Sequence, residues 1–224
     1  MENHMSVSYP NESSEYRTAR DQLLGAEIEL RVHIEKVAEK RRQLPPGGMI
    51  KEDYVFEKLV DGAKKETGLS DLFGTKDTLF LYSLMYAKDM AAACPMCTAM
   101  LDGLDGQITH LDQRISIAVI AKHDIDVIHQ HARSRGWSNF RLLSSANNTY
   151  NTDYLAEEDG EQTTNANVFV RRADRIRHSW GAEMAFAPMV EGQNMRHVDT
   201  IWPLWNVLDM TPGGRGNWYP SLSY

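Results

Sequence analysis

The fold of this chain is organised around residues 89–111, which read Asp89-Met-Ala-Ala-Ala-Cys94-Pro95-Met96-Cys97-Thr-Ala-Met-Leu-Asp-Gly-Leu-Asp-Gly-Gln-Ile-Thr-His-Leu111 and hold the only two cysteines among 224 residues. An apolar, aromatic-rich run of strand length precedes them at residues 77–85. After Cys94 the apolar positions fall at helical spacing. The cysteines are therefore predicted to lie at a strand-to-helix junction.

The beginning of this helix is well marked. Cys94 occupies a plausible N-cap position, and Pro95 fits the first helical position, where its fixed φ and missing N–H cost nothing. One inward stripe is predicted to contain Cys97, Met100, Leu101, Leu104, Ile108 and Leu111. The spacing thus predicts an accessible thiol at Cys94 and an inner thiol at Cys97.

This difference in access favours redox chemistry. A thiolate at a helix N-terminus is stabilised by free backbone N–H groups and by the helix dipole, which lowers its pKa below about 8.5. Cys94 is then the nucleophile and Cys97 the resolving cysteine that closes an internal disulfide. Two alternatives remain, a metal site that lacks the usual four ligands and two small residues that merely cap a core helix.

Composition restricts the class of protein. A hydrophobic fraction of 42% and a charged fraction of 25% are typical of a globular protein, and the net charge of −7 argues against a nucleic-acid partner. The sequence has no apolar run of membrane-spanning length and no signal peptide, so we expect a cytoplasmic protein without a membrane partner. In a reducing compartment, a CxxC is more often catalytic or metal-binding than structural.

A long amphipathic helix is predicted near the N-terminus. Ser13 or Ser14 can cap it, and Pro45-Pro46-Gly47-Gly48 follows its end near Gln43. Its apolar stripe comprises Tyr16, Ala19, Leu23, Ala26, Leu30, Ile34 and Val37. The stripe is covered either by a second subunit, which makes a homodimer, or by the chain's own domain.

The remaining elements indicate an α/β fold. Strands are predicted at residues 54–56, 77–85, 114–121 and 141–145, with a helix from Asp124 to Gly136 between the last two. Residues 146–166 read as a surface loop or short helix, and a hairpin follows at 166–171 and 175–180. A parallel unit followed by an antiparallel hairpin, with a CxxC at the mouth of the first helix, is how a thioredoxin-like fold is built.

Three segments follow from this order. Residues 1–47 are a flexible terminus plus the long helix, residues 48–185 are the thioredoxin-like domain, with a central mixed sheet flanked by helices, and residues 186–224 are a Trp/Pro/Gly-rich extension packed on it. The extension contains Trp202, Trp205 and Trp218.

Several motifs together resemble the bacterial thioredoxin-like family named domain of unknown function 899. They are Gly68-Leu-Ser-Asp-Leu-Phe-Gly74, Asp89 before Cys94-Pro-Met-Cys97, Gly136-Trp137, Ser144-Ser145 and Leu208-Asp-Met-Thr-Pro-Gly-Gly-Arg215. The resemblance runs from about residue 15 to about residue 216 and implies a thioredoxin-like fold. Only Cys94 and Cys97 match the thioredoxin redox motif.

The chain departs from thioredoxin at one informative place. No proline occurs between Pro95 and Pro188, so the cis-proline that precedes the thioredoxin hairpin is missing, and residues 163–165, Thr-Thr-Asn, take its place. This departure favours small-molecule chemistry over exchange with extended peptides. Peroxide reduction would further require hydrogen-bond donors near Cys94, for which Thr98, Arg135 and Arg141 are candidates.

Two functional hypotheses follow. The first is a thiol-dependent oxidoreductase with Cys94 and Cys97 as its catalytic residues, which uses a cellular thiol reductant and a small-molecule or disulfide substrate and needs neither a cofactor nor a bound metal ion. The second is a small-molecule-binding or metal-handling module in which both thiolates hold a soft cation such as copper. The nearby methionines, Met85, Met90, Met96 and Met100, are expected in the core, and the scattered histidines, His110, His123, His129, His131 and His178, are expected to be structural.

Overall fold

The computed structural model describes residues 8–173, 175–188, 191 and 199–224. The chain divides into two units, Met1–Pro45 and Pro46–Tyr224. Within the described residues, none of the helices combines the length and hydrophobicity needed to cross a bilayer.

The first unit is dominated by one long helix, α1 (Ser14–Arg42). Ser13 is its N-cap, and the Ser13 hydroxyl accepts a hydrogen bond of 3.1 Å from the backbone N–H of Tyr16. Three cations, Lys40, Arg41 and Arg42, lie in the last turn, where they interact favourably with the helix dipole. The predicted long helix is therefore present, with its capping serine.

The described residues of the second unit contain nine strands. They are β1 (Val55–Val60), β2 (Ala63–Gly68), β3 (Thr78–Ser83), β4 (Ser116–Ala121), β5 (Leu142–Ser144), β6 (Glu157–Glu158), β7 (Glu161–Gln162), β8 (Asn165–Arg172) and β9 (Arg175–Gly181). Seven of them form one sheet in the order β2-β1-β5-β4-β3-β8-β9, and β6 pairs only with β7.

In the same described part of the chain, six α-helices accompany these strands. They are α2 (Leu69–Leu72), α3 (Pro95–Asp105), α4 (Ile108–Leu111), α5 (Ile125–Arg135), α6 (Tyr150–Asp153) and α7 (Pro203–Asp209), with short 3-10 turns at Glu183–Ala185 and Asp199–Ile201. Helix α5 ends as predicted at Gly136, whose positive φ of 75° suits glycine.

The sheet is mixed, as the sequence predicted. Strands β3, β4 and β5 are parallel and are connected through α3 and α5, whereas β8 pairs antiparallel with both β3 and β9. The carboxyl ends of β3, β4 and β5 therefore meet at one edge of the sheet, where ligands commonly bind in α/β proteins.

The central strand β4 is buried on both faces and divides the hydrophobic core into two layers. Ile117, Val119 and Ala121 face the layer that contains α3 and α5, while Ala118 and Ile120 face the layer that contains Phe73 and Phe169. This alternation follows from the two-residue period of a strand, and it explains why β4 reads as a continuous apolar run.

Strand β2 was not predicted from the sequence, and β1 extends beyond the predicted residues 54–56. The turn at Asp61-Gly62 in fact joins β1 and β2 into a hairpin, with Val60 opposite Ala63. Strand β2 lies at the sheet edge, and its residues 63–66 are exposed. An exposed edge strand needs no alternation of apolar and polar residues. The charged sequence of β2 therefore gave no sign of a strand.

The helix that follows Cys94 is shorter than predicted. The inward stripe was expected to continue to Leu111 on one helix, but α3 ends at Asp105 with Gly106 as its C-cap, and α4 begins at Ile108. Glycine weakens a helix interior, which explains the break. The stripe itself survives, because Ile108 is buried and Leu111 packs against the same core layer.

The predicted surface segment 146–166 is partly core. Tyr150 in α6 is fully buried, and its ring packs edge-on against those of Tyr54 and Phe56, at centroid distances of 5.6 and 5.5 Å. The residues next to Tyr150 in sequence are polar, so its burial could not be predicted from them. Its burial depends on packing against the sheet.

The described part of the C-terminal segment contributes to the α3 core layer. Trp202 and Trp205 are buried in that layer. Arg215 is also buried, and its guanidinium pairs with Asp199 at 2.6 Å and with Asp209 at 2.8 Å. Residues 189–190 and 192–198 of the predicted extension lie outside the described residues.

Candidate active site

The two cysteines lie where the sequence places them, at the junction between β3 and α3. The backbone N–H of Cys94 donates to the Met85 carbonyl at 3.0 Å, and the Cys94 carbonyl accepts from the N–H of Thr98 at 3.0 Å. Cys94 is the N-cap and Pro95 opens the helix. These bonds fix Cys94 at the carboxyl edge of the parallel strands.

The two thiols are free and differ sharply in exposure. Cys94 is half-buried, whereas Cys97 is 3% exposed and packs in the core layer of α3. Cys97 turns inward because it lies on the same helical stripe as Met100 and Leu101, both fully buried. A reagent therefore meets Cys94 first.

The surroundings of Cys94 lower its pKa to about 6. The main cause is hydrogen bonding from the Cys97 thiol, followed by the backbone N–H groups of Cys97 and Met96, which outweigh the opposing effect of burial. No lysine or arginine of the described residues is among the groups that lower this pKa. Local helix geometry is therefore sufficient to make Cys94 a thiolate at neutral pH.

Cys97 has the opposite character. Its hydrogen bond to Cys94, its burial and the Cys94 charge all raise the pKa of Cys97 above its ordinary value. The Tyr82 hydroxyl and the Met85 backbone act in the other direction and favour the Cys97 thiolate. The pair thus consists of one acidic, accessible thiol and one protonated, buried thiol.

Tyr82 is a site residue that the sequence analysis missed. It lies on β3, is 1% exposed, and has the Cys97 thiol and the Thr164 hydroxyl as hydrogen-bonding neighbours. Burial and the nearby cysteines raise the pKa of Tyr82, so that it stays a neutral donor. The strand alternation offered a signal, because Tyr82 shares the α3 side of β3 with Phe80 and Leu84.

Residues 163–165, at the position of the missing proline, form hydrogen bonds within the protein. Thr164 donates from its hydroxyl to the Ser83 carbonyl, and the Asn165 side chain bonds to Tyr154, Ala166 and Ala182 of the backbone. Both residues are buried. Thr164 also neighbours the Tyr82 hydroxyl, and Thr163 is half-buried.

The three candidate donors for peroxide chemistry are engaged elsewhere. The Thr98 hydroxyl lies 3.1 Å from Nε2 of His131, and Arg135 pairs with Asp102. Arg141 donates to the Leu72 carbonyl. Arg135 ends α5 and Arg141 directly precedes β5, so both lie towards the opposite edge of the parallel strands from Cys94.

The histidines do not form a metal centre in the described part of the chain. No group of three or more His, Cys, Asp or Glu side chains that could hold a metal ion occurs there. The His123 ring contacts the Tyr86 ring in a tilted arrangement with centroids 4.7 Å apart, and His178 is hydrogen-bonded to Asn167 in the other core layer. Burial lowers the pKa of His131 and of His178, so both are neutral at pH 7.

A polar cleft of about 240 Å³ opens beside the junction at the same edge of the sheet. Its lining includes Lys88, Asp89, Lys122, Glu157 and Gln162. Lys122 pairs with Glu157, and Lys88 pairs with Asp124 at 2.7 Å. Because Ala87, Lys88 and Asp89 also line it, the cleft borders the loop that leads to Cys94.

Comparison with known families identifies the chain. Residues 5–223 match the model of a family described as bacterial protein of unknown function, domain of unknown function 899. The chain belongs to this family. The resemblance noted from the motifs is therefore correct, and the family match spans nearly the whole of both units. No match was found among curated proteins.

Solved structures similar to this family member include peroxiredoxins. One peroxiredoxin, 12% identical, covers 72% of this chain and 98% of its own, with a TM-score of 0.52. Reduced Prx3 from Vibrio vulnificus in complex with hydrogen peroxide is 13% identical over 72% of this chain and 99% of its own, with a TM-score of 0.49. Peroxidoxin BcpB from Mycobacterium tuberculosis is 17% identical over 74% and 99%, with a TM-score of 0.47. The first likeness shows the fold, which is thioredoxin-like.

Proposed function

We propose that this protein is a thiol-dependent oxidoreductase in which Cys94 is the nucleophile and Cys97 the resolving cysteine. The observation that carries this proposal is the asymmetry of the pair, with an accessible Cys94 whose pKa is lowered to about 6 and a buried Cys97 whose pKa is raised. A merely structural pair would not need one thiol kept ionised at the helix mouth.

The geometry best supports reaction with a disulfide. The Cys94 thiolate attacks one sulfur of the substrate, a new S–S bond forms, and the other sulfur leaves as a thiolate that takes up a proton. Cys97 then loses its proton, attacks the Cys94 sulfur and releases the second thiol. The substrate gains two electrons, and the protein, which supplies them, is left oxidised as the Cys94–Cys97 disulfide.

A hydroperoxide is the second candidate substrate because it reacts with the same thiolate. Cys94 would attack one peroxide oxygen, become a sulfenic acid and release an alcohol or water, after which Cys97 would displace water to form the same disulfide. The low pKa of Cys94 favours this step. The engagement of Thr98, Arg135 and Arg141 elsewhere argues that a departing hydroxide would receive little help.

Small substrates fit the site better than extended peptides. Thr164 and Asn165 turn their polar atoms to the protein's own backbone and offer no edge for a peptide. A cellular thiol reductant would then return the internal disulfide to the dithiol state. The proposal includes a cytoplasmic location, where thiol reductants are abundant.

The test is to trap the intermediate. Reduced Cys97→Ser protein treated with glutathione disulfide should stop at a mixed disulfide on Cys94, and treated with hydrogen peroxide should stop at a sulfenic acid, both identified by mass spectrometry. Cys94→Ser is the matched control and should form neither adduct. Preferential modification of Cys97, or slow reaction at both sites, would refute the assigned roles.

The same preparation addresses the metal-handling alternative. Among the described residues, the Cys94 and Cys97 thiolates would be the only ligands for a metal ion there, since they are not part of a larger group of His, Cys, Asp or Glu side chains. Reduced protein that binds Cu(I) stoichiometrically, without turnover of disulfide or peroxide, would favour it over the oxidoreductase.

A further inference from the structure

Helix α1 carries a seven-residue repeat that the redox site does not explain. Tyr16, Leu23, Leu30 and Val37 recur at intervals of seven, and Ala19 and Ala26 follow the first two by three residues. The side chains of Tyr16, Leu23 and Leu30 are 48%, 49% and 59% exposed, and no residue of α1 is buried. Both seam positions are apolar in the first two heptads, as in a coiled coil, whereas His33 and Lys40 lie three residues after Leu30 and Val37.

We propose that α1 pairs antiparallel with α1 of a second copy of this chain. The occupant is a second copy because the repeat is self-complementary in both size and charge. The pair would be isologous, with the same residues used on both helices.

Side-chain size favours the antiparallel direction. In this repeat, Tyr16, Leu23, Leu30 and Val37 occupy the first position of each heptad, and Ala19 and Ala26 occupy the fourth. An antiparallel seam places each first-position residue opposite a fourth-position residue of the other helix. Leu23 then lies opposite Ala26 of the second copy, and Leu30 opposite Ala19, so that each large side chain meets a small one. In a parallel pair, Ala19 and Ala26 would each face an identical alanine and leave the seam underfilled.

Charge favours the same direction and register. In this register, Arg20 of one copy lies beside Glu27 of the second copy, and Glu15 lies beside Lys36 of the second copy. Each pair occurs twice by symmetry. Within one chain, Arg20 and Glu27 already lie 3.6 Å apart, so the pairing creates a four-charge cluster with alternating signs. The two helix dipoles are also opposed.

The first test is the mass of the full reduced chain by sedimentation equilibrium. The unsubstituted chain should be a concentration-dependent dimer, and Leu23→Glu should be monomeric because it buries a charge in the seam. Val32→Glu is the matched control, since Val32 is 46% exposed and lies on the opposite side of α1. Circular dichroism establishes that both variants keep their helix content.

Charge exchange tests the register. Arg20→Glu should weaken the dimer by placing like charges together, and adding Glu27→Arg should restore it. If the single and double variants dimerise equally, the proposed register is wrong. A monomeric wild-type chain, or a dimer that Leu23→Glu leaves intact while Val32→Glu disrupts, overturns the proposal.

Spin labels test the direction. In a Cys94→Ser, Cys97→Ser background, labels at Glu39→Cys would be separated by about 40 Å along an antiparallel pair, from the 1.5 Å rise per residue, and would be level in a parallel one. A distance that fits the parallel arrangement refutes the proposed direction.

Discussion

The hydroxyl of Thr164 donates a hydrogen bond of 2.9 Å to the carbonyl oxygen of Ser83. This bond joins the residue before β8 to the last residue of β3, the strand that leads to the cysteines. The same threonine neighbours the hydroxyl of Tyr82, which in turn neighbours Cys97. Polar contacts therefore run from Ser83 through Thr164 and Tyr82 to Cys97.

Replacing Thr164 should cost stability. Thr164→Val keeps the side-chain shape but removes a buried donor, so we expect the free energy of unfolding to fall by about 1–3 kcal/mol. Urea denaturation followed by far-UV circular dichroism measures this change. Thr163→Val, at the half-buried neighbouring position, is the control and should change the free energy by less than about 0.5 kcal/mol.

The reactivity of Cys94 should depend on pH in a defined way. Since its pKa is lowered to about 6, the alkylation rate should rise as pH increases through that value and then level off, well before an ordinary thiol would. Iodoacetamide labelling with peptide mass spectrometry gives the rate at each cysteine.

One variant separates the causes of this low pKa. Cys97→Ala removes the thiol donor but keeps both backbone N–H groups, so the alkylation midpoint of Cys94 should move upward yet stay below about 8.5. An unchanged midpoint would show that the Cys97 thiol contributes nothing, and a wild-type midpoint near 8.5 would show that the helix terminus does not activate Cys94.

Tyr82 should act on the second chemical step only. Tyr82→Phe removes a hydroxyl that favours the Cys97 thiolate, so the pKa of Cys97 should rise further and closure of the internal disulfide should slow. Stopped-flow measurement should show the first thiol released at an unchanged rate and the second released later. Tyr86→Phe is the control, and equal slowing of both steps would indicate a structural role for Tyr82 instead.

Two adjacent glycines should respond very differently to alanine. A Cβ at Gly47 would clash with the backbone oxygen of His178, whereas a Cβ at Gly48 would meet nothing within 4 Å. Gly47→Ala must therefore shift either its own segment or the β9 backbone, whereas Gly48→Ala requires no shift. We expect a loss of several degrees in Tm for Gly47→Ala and little change for Gly48→Ala by differential scanning calorimetry; equal Tm values would contradict the close approach.

Much of the candidate site could be predicted because its geometry is local. The N-cap position of Cys94, the proline at the first helical position and the inward turn of Cys97 all depend on residues within one helical turn. The apolar run of β4 and the positive-φ glycine that ends α5 can likewise be predicted from short stretches of sequence. Each of these features was recognisable before any partner in space was known.

Other features became visible only with the strands assembled. Strand β2 carries no apolar alternation, and Tyr150 is surrounded in sequence by polar residues, so its burial depends on aromatic partners from β1 and β8. The arginines considered as donors proved to belong towards the other edge of the sheet, a distinction that depends on strand direction.

The sequence by itself therefore determined which cysteine is outer and which is inner, because that follows from helical spacing and from the N–H groups of a single turn. Only the tertiary structure decided what lies behind the inner cysteine. Tyr82, from the preceding strand, neighbours Cys97, and Thr164, from a segment far along the chain, neighbours Tyr82 because β8 pairs with β3. Contacts of this kind depend on register between distant strands, which no local pattern specifies.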